Sequence, residues 1–324
     1  VALQKKYAGG KRCENTFQTN GILLNEQWCD LFQQHGFLVG ISIDGDVEHH
    51  DEYRKNRAGR GTHQQVVNAI NLLKSSGVEF NLLAVVHRGN VTEPLAVYQY
   101  LRSLGSAHIQ FTPLLERTAQ EETKDGLTLV NPDFLGSAQV SPWSIQSGQY
   151  SHFLNKIFDE WCQHDIGSMF INSFETTLGL AIGKPSNSCV FAHTCGNAVV
   201  MEHNGDVYSC DHFVYPEYKL GNINHNSIAK MGQSDEQVRF GLDKQDNLAV
   251  ECQSCRYLSL CHGGCPKHRF EVAKNGMPNK NYFCEDYKRY YQHVIPHMKD
   301  IYAALINGKS PDDVKHYFQK KLKY

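Results

Sequence analysis

The sequence predicts an α/β protein in which consecutive β-α units form a parallel sheet or barrel, followed by a loop-rich, cysteine-dense domain. Three observations carry that prediction. Strand-like and helix-like segments alternate over the first ~115 residues. Eight of the 11 cysteines lie between Cys189 and Cys284. From Gly183 the texture turns to Gly, Asn, His and Cys with short strands. A length of 324 residues suits two domains or one large domain with an extension, and 41% hydrophobic residues suffices for a packed core.

The elements follow in order. Glu14–Thr19 reads as a strand, and Asn25–His35 as a helix capped by Asn25 and stopped by Gly36. Phe37–Ile43 is an apolar run of the kind buried on both faces of a parallel sheet. Thr62–Ser76 is the clearest helix: Thr62 and Gln65 form a capping box, Val66, Ala69, Ile70 and Leu73 share one face, and Gly77 ends it. Glu79–Val86 is a strand, Glu93–Leu104 a helix ended by Gly105, and His108–Pro113 a strand. Four strands separated by three helices place function just after the strands, at 18–21, 42–45, 87–90 and 114–116. Residues 117–140 read as a polar connector. Tyr150–His164 reads as a core helix with Phe153, Ile157, Phe158 and Trp161 on its apolar face, and Tyr282–Leu305 is helical again.

Charge and hydropathy exclude several classes. With 32 Lys+Arg against 34 Asp+Glu, the net charge of −2 gives no general affinity for nucleic acid or for an anionic membrane. The longest apolar stretches, Phe37–Ile43 and Asn81–Val86, fall far short of the ~20 residues that span a bilayer. No charged-then-apolar leader stands at the start, so a cytoplasmic protein is expected.

The cysteines carry the chemistry. Cys189 and Cys195 are separated by five residues, and Cys195 and Cys210 by fourteen, with four residues between Gly205 and Cys210. Cys252-x2-Cys255-x5-Cys261-x3-Cys265 follows, then Cys284 after eighteen residues. Soft thiolates select zinc, copper(I) or iron–sulfur clusters, and eight of them suffice for two centres. Disulfides are disfavoured without export signals, whereas two structural zinc sites and two iron–sulfur clusters both remain open on spacing alone.

The full cysteine string resembles the SPASM extension of radical S-adenosylmethionine enzymes, which holds two auxiliary [4Fe–4S] clusters. Surrounding words narrow the resemblance to the anaerobic sulfatase-maturating enzymes. They are Gln18-Thr19-Asn20-Gly21, Ser42-Ile43-Asp44-Gly45, His50-Asp51-Glu52-Tyr53-Arg54, the stretch from Asn204 to Asp211, Leu220-Gly221-Asn222-Ile223 and Cys265-Pro266-Lys267. The resemblance implies a partial (β/α)6 barrel lacking its first strands, with the visible strands standing third to sixth. It divides the chain into barrel (1–118), connector and helices (119–184), SPASM domain (185–290) and a C-terminal helical segment (291–324).

By position, the resemblance assigns one auxiliary cluster to Cys189, Cys195, Cys210 and Cys265, and the other to Cys252, Cys255, Cys261 and Cys284. It assigns the catalytic base to Asp211, beside Cys210, and S-adenosylmethionine contacts to Ser42, Arg54 and Leu115. Cys13, Cys29 and Cys162 have no place in the motif and are expected to be small buried hydrophobes. Asp44, Asp46 and Asp51 are expected to be mostly turn or capping residues. His203, His212, His225, His262 and His268 are expected around the metal sites or at the surface.

The implied reaction is oxidation of a Cys or Ser side chain of a sulfatase polypeptide to Cα-formylglycine, with electrons exchanged through a donor such as flavodoxin or ferredoxin. The Cys-x3-Cys-x2-Cys loop that holds a third cluster in this family is absent, as is a Gly-Gly-Glu-Pro segment, and the first residue is Val. The expectation is a truncated record of a longer protein, with the third cluster in the missing N-terminal part and no radical chemistry by this chain alone. Two other readings remain: a radical enzyme with the same extension that modifies another peptide, and a non-catalytic scaffold with two zinc sites.

Overall fold

Strands in the N-terminal half form where apolar residues alternate or run together, and helices form between them. The computed structural model describes residues 1–119, 129–134 and 136–322. In order come α1 (Ala2–Tyr7), β1 (Thr16–Thr19), α2 (Glu26–His35), β2 (Leu38–Ser42), α3 (Val47–Tyr53) and α4 (His63–Ser75), then β3 (Phe80–Val86), α5 (Pro94–Ser103) and β4 (His108–Pro113). The chain divides into two compact units. One comprises Val1–Leu114, His152–Glu175 and Ala303–Tyr324, the other Leu115–Ser151 and Thr176–Tyr302.

The first unit holds a parallel sheet in the order β1-β2-β3-β4, extended by a fifth strand, Phe170–Ile171. That strand is only two residues long, which is why no apolar run announced it. Helix ends follow local chemistry. Asn25 Oδ1 accepts from Trp28 N at 3.1 Å, and Gly36 takes φ +62 at the other end of α2. The capping box at Thr62 does not form: the Thr62 side chain makes no cap hydrogen bond to α4. Asp51 Oδ1, reaching from α3, accepts from Thr62 N at 2.8 Å and His63 N at 2.9 Å instead. Thr62 Oγ1 is left to donate to Arg54 O. Helix α3 itself was unexpected. It is capped by Asp46, which accepts from Glu48 N and His49 N.

Val39, Ile41, Ile43, Leu82 and Val86 are fully buried, while Leu38 and Gly40 of β2 are only half-buried. Double-sided burial of β2 is therefore not realised within this unit. Gly21 (φ +77) has both Ile41 and Ala69 of α4 against it, so helices cover the Ile41 face, while Gly40 on the opposite face has Leu83 and Gln18 beside it. Helix Gln149–His164 behaves as expected. Phe153, Ile157, Phe158 and Trp161 are buried, Phe111 meets Phe153 edge-on at 5.3 Å, and each such side chain contributes roughly 1.5–3 kcal/mol.

The second unit is built from short pieces. It contains a three-stranded antiparallel sheet (Val200–Met201, Asp206–Tyr208, Lys219–Asn222), the hairpins Arg117–Ala119/Ala138–Val140 and Arg269–Glu271/Lys280–Asn281, helix Asp235–Asp246, and most of the long helix Cys284–Ile306. The connector expectation is thus corrected at its ends, which pair as strands; 120–128 and 135 lie outside the described residues. Among the described residues no helix is long and apolar enough to cross a membrane.

Candidate metal centres and active site

All eight motif cysteines lie in the second unit and none is cross-linked. They fall into two neighbourhoods. Cys252, Cys255, Cys261 and Cys284 line one pocket together with Tyr287. Burial pushes the Cys261 thiol up to about 12, and the thiols of Cys252, Cys255 and Cys284 add to the shift. In the other neighbourhood Cys265 is also raised to about 12, first by burial and then by Cys195 and Cys189. Cys210 is raised to about 12 by burial, with Asp211 and Cys265 contributing. Among the described residues, no three His, Cys, Asp or Glu side chains close on one point as a single metal ion requires. The donor set fits two thiolate-bound iron–sulfur clusters: soft sulfur ligands, four per neighbourhood, whose thiol protons binding must displace.

Asp211 is exposed, and its Oδ1 accepts from the Cys210 thiol at 3.2 Å. Asp211, Glu116 and Lys267 stand around His212; the last two form a half-buried ion pair at 2.6 Å. His212 Nδ1 lies 3.4 Å from Cys265 Sγ. His268 is buried behind it, and burial lowers its pKa to about 3. His262 packs edge-on against His193. His203 and His225 are exposed. Of the three remaining cysteines, Cys29 and Cys162 are fully buried, but Cys13 is exposed, because the segment before β1 carries no buried residue to pack against.

In the first unit, Ser42 closes β2 and is nearly buried. Two residues on, Asp44 is buried and accepts from Nε and Nη2 along one edge of the Arg54 guanidinium, with Nη2···Oδ1 at 3.0 Å. Asp44 Oδ1 also accepts from Val85 N at 2.8 Å, so it is a structural anchor and not a turn residue, unlike Asp46 and Asp51, which do cap helices. Asn90 Nδ2 donates to Asp44 O and Val85 O, binding the ends of β2 and β3 together. His50, fully buried, accepts from Asp44 N. Leu115 belongs to the second unit and is buried there. Sequence reasoning missed the network of Asp44, His50 and Asn90; an Asp directly after a strand, with an Arg ten residues on, was its one visible signal.

A parallel β/α sheet with polar strand ends, in a chain that also carries two four-thiol neighbourhoods, defines a radical S-adenosylmethionine protein with an iron–sulfur extension. Family models agree: the radical SAM superfamily matches residues 1–101, and the SPASM iron–sulfur cluster-binding domain matches 189–256. The chain is 43% identical over 314 residues to the serine-type anaerobic sulfatase-maturating enzyme of Bacteroides thetaiotaomicron, covering 97% of this chain and 75% of that protein. It is 30% identical over 292 residues to the cysteine-type enzyme of Clostridium novyi, covering 90% and 73%. A solved structure of native anSMEcpe with bound AdoMet and Cp18Cys peptide superposes with a TM-score of 0.81 at 28% identity, covering 94% of this chain and 80% of that one. The chain belongs to the anaerobic sulfatase-maturating enzymes.

Proposed function

We propose that the protein carrying this chain oxidises a side chain of a sulfatase polypeptide to Cα-formylglycine, with Asp211 as the base. The greater similarity to the serine-type relative, 43% against 30% for the cysteine-type one, favours a seryl target. When bound, S-adenosylmethionine and the clusters supply the one-electron chemistry that takes a hydrogen from the target Cβ and accepts the second electron.

The single observation that carries the reading is the Cys210–Asp211 contact. As a thiol, Cys210 donates its proton to Asp211 Oδ1 at 3.2 Å. A metal-bound thiolate has no proton to donate, so ligation frees that carboxylate oxygen, beside the ligand, to take the proton of a substrate hydroxyl or thiol. Ser42 and Arg54 are our candidates for binding S-adenosylmethionine. The Asp44 fork leaves Nη1 of Arg54 available for a ligand carboxylate. Leu115 is the candidate for the adenosyl end.

We further take 1–118 as the barrel part, 119–184 as connector and helices, 185–290 as the cluster domain and 291–324 as the C-terminal helical segment. A cytoplasmic location and a flavodoxin- or ferredoxin-type donor suit eight free thiols, which need a reducing compartment. The test is the Asp211→Asn variant of the gene product, assayed anaerobically with a sulfatase peptide by mass spectrometry. Formylglycine formation is expected to fall by about 10²–10⁴-fold with iron content unchanged. Full activity removes Asp211 from the reaction.

A further inference from the structure

Two cations sit among the cysteines of the second unit, and neither forms an ion pair among the described residues. Lys244 is 1% exposed; its Nζ donates to Cys189 O at 2.5 Å and Val190 O at 3.0 Å. Arg269 spends its guanidinium on carbonyls: Nη1 on Lys244 O at 2.7 Å, Nη2 on His262 O at 2.9 Å and Nε on Gly263 O at 3.1 Å. The His262 and Gly263 carbonyls lie in the loop between Cys261 of one neighbourhood and Cys265 of the other, and, once ionised, Cys252 and Cys261 of the one and Cys195 and Cys265 of the other would offset the burial that lowers the Arg269 pKa. Cys195, Cys265 and Cys189, all of one neighbourhood, act in the same way on Lys244.

The intervening loop is built around this arrangement. Only three residues separate Cys261 from Cys265, and all three are left-handed: His262 at φ +44, Gly263 at +73 and Gly264 at +65. A side chain at Gly263 would collide with Leu248 and with Nη2 of Arg269. A left-handed non-glycine residue is strained, and the convergence of the His262 and Gly263 carbonyls on Arg269 holds it in place. Carbonyls satisfy the hydrogen bonds of a buried cation but do not neutralise its charge, and an uncompensated buried charge is strongly unfavourable. Eight thiolates carrying two clusters supply negative charge where, among the described residues, no carboxylate pairs with either cation.

We propose that Arg269 is the shared counter-charge of both clusters and that Lys244 is the counter-charge of the one held by Cys189, Cys195, Cys210 and Cys265. Each is a positioning residue that favours uptake of an electron by its cluster. The inference rests on the reading that each neighbourhood of four cysteines holds one iron–sulfur cluster. Net charge near a cluster sets its reduction potential, so removing a cation makes reduction harder. A residue that only holds the fold would not move two potentials in step.

The test uses this chain reconstituted anaerobically with iron and sulfide, read by iron content and an EPR-monitored redox titration. Wild type is expected to take up about eight iron. Arg269→Gln is expected to shift both midpoints to more negative potential, and Lys244→Met only one. Arg269→Lys keeps the charge but loses the fork, and is expected to hold full iron with both midpoints near wild type. Full iron in Arg269→Gln with unmoved midpoints overturns the inference alone. A wild-type chain that binds no iron overturns the cluster assignment and the inference with it. If Arg269→Gln takes up no iron, the lysine variant decides: loss of iron there too assigns Arg269 to folding and overturns the charge role.

Discussion

Arg54 Nη2 lies 3.0 Å from Asp44 Oδ1 while its Nε meets Oδ2, a two-point pairing that joins the end of β2 to the residue after α3. The Asp44 side chain is 3% exposed and that of Arg54 26%. Removing the acid strands a guanidinium in a partly buried site, which costs about 3 kcal/mol, the lower end of the range for breaking a buried pair. Asp44→Asn should therefore lower the urea midpoint clearly, and Asp44→Asn with Arg54→Met should recover part of the loss. Equal midpoints for wild type and Asp44→Asn would show that the pair contributes nothing to stability.

The same network makes stability depend on pH through His50. Its Nδ1 accepts from Asp44 N at 3.3 Å and its Nε2 lies 3.2 Å from Thr62 Oγ1, whose own proton goes to Arg54 O. Only the neutral Nε2–H ring satisfies all three bonds, since a proton on Nδ1 would face the Asp44 N–H. Burial, opposed in part by Asp44 and reinforced by Arg54 and His63, lowers the pKa from 6.5 to about 4. The unfolded chain thus binds a proton between those values that the folded chain refuses. The contribution, about 3 kcal/mol, is complete above pH 6.5 and is lost as pH falls through about 4. Melting temperature should drop between pH 7 and pH 5, and His50→Gln should flatten that slope. An unchanged slope in the variant would assign the acid sensitivity elsewhere.

Legibility differed between the two halves for physical reasons. Helix α2 was readable at both ends because Asn25 and Gly36 act within one turn of the elements they limit. The eight cysteines were readable because their spacing is itself the ligand pattern. Long-range partnerships were not. The Thr62–Gln65 box failed because Asp51, eleven residues before Thr62, reached the helix end first. Lys244 and Arg269 were invisible because a lone Lys or Arg in a polar stretch looks solvated until the fold buries it. The fifth strand pairs through two residues only, His108 with Phe170 and Ile109 with Ile171, too few for any periodicity.

The substitute cap at α4 can be weighed directly. Asp51 Oδ1 takes two of the helix's free N–H groups, and Gly61 leaves room for it, since a Cβ there would overlap the Asp51 carboxylate. Asp51→Ala should cost about 1–2 kcal/mol, as other lost N-caps do, and Gly61→Ala a similar amount by displacing the carboxylate. Together they should cost little more than either alone, because both remove the same interaction. Full additivity in denaturant melts would mean that Gly61 serves some other purpose.

The division of the cysteines into two sets predicts a pattern that other groupings do not. Cys261 and Cys265 are only four positions apart, yet each is shifted by partners distant in sequence, Cys284 for the first and Cys189 and Cys195 for the second. If each neighbourhood holds one four-iron cluster, losing a ligand should remove about four iron and leave about four. Cys189→Ala and Cys265→Ala should then deplete the same EPR signal, and Cys252→Ala and Cys284→Ala the other, even though Cys252 lies much nearer Cys265 in sequence than Cys189 does. Depletion of a common signal by Cys261→Ala and Cys265→Ala would instead mean that sequence neighbours share a cluster, and the pairing read from the structure would have to be abandoned.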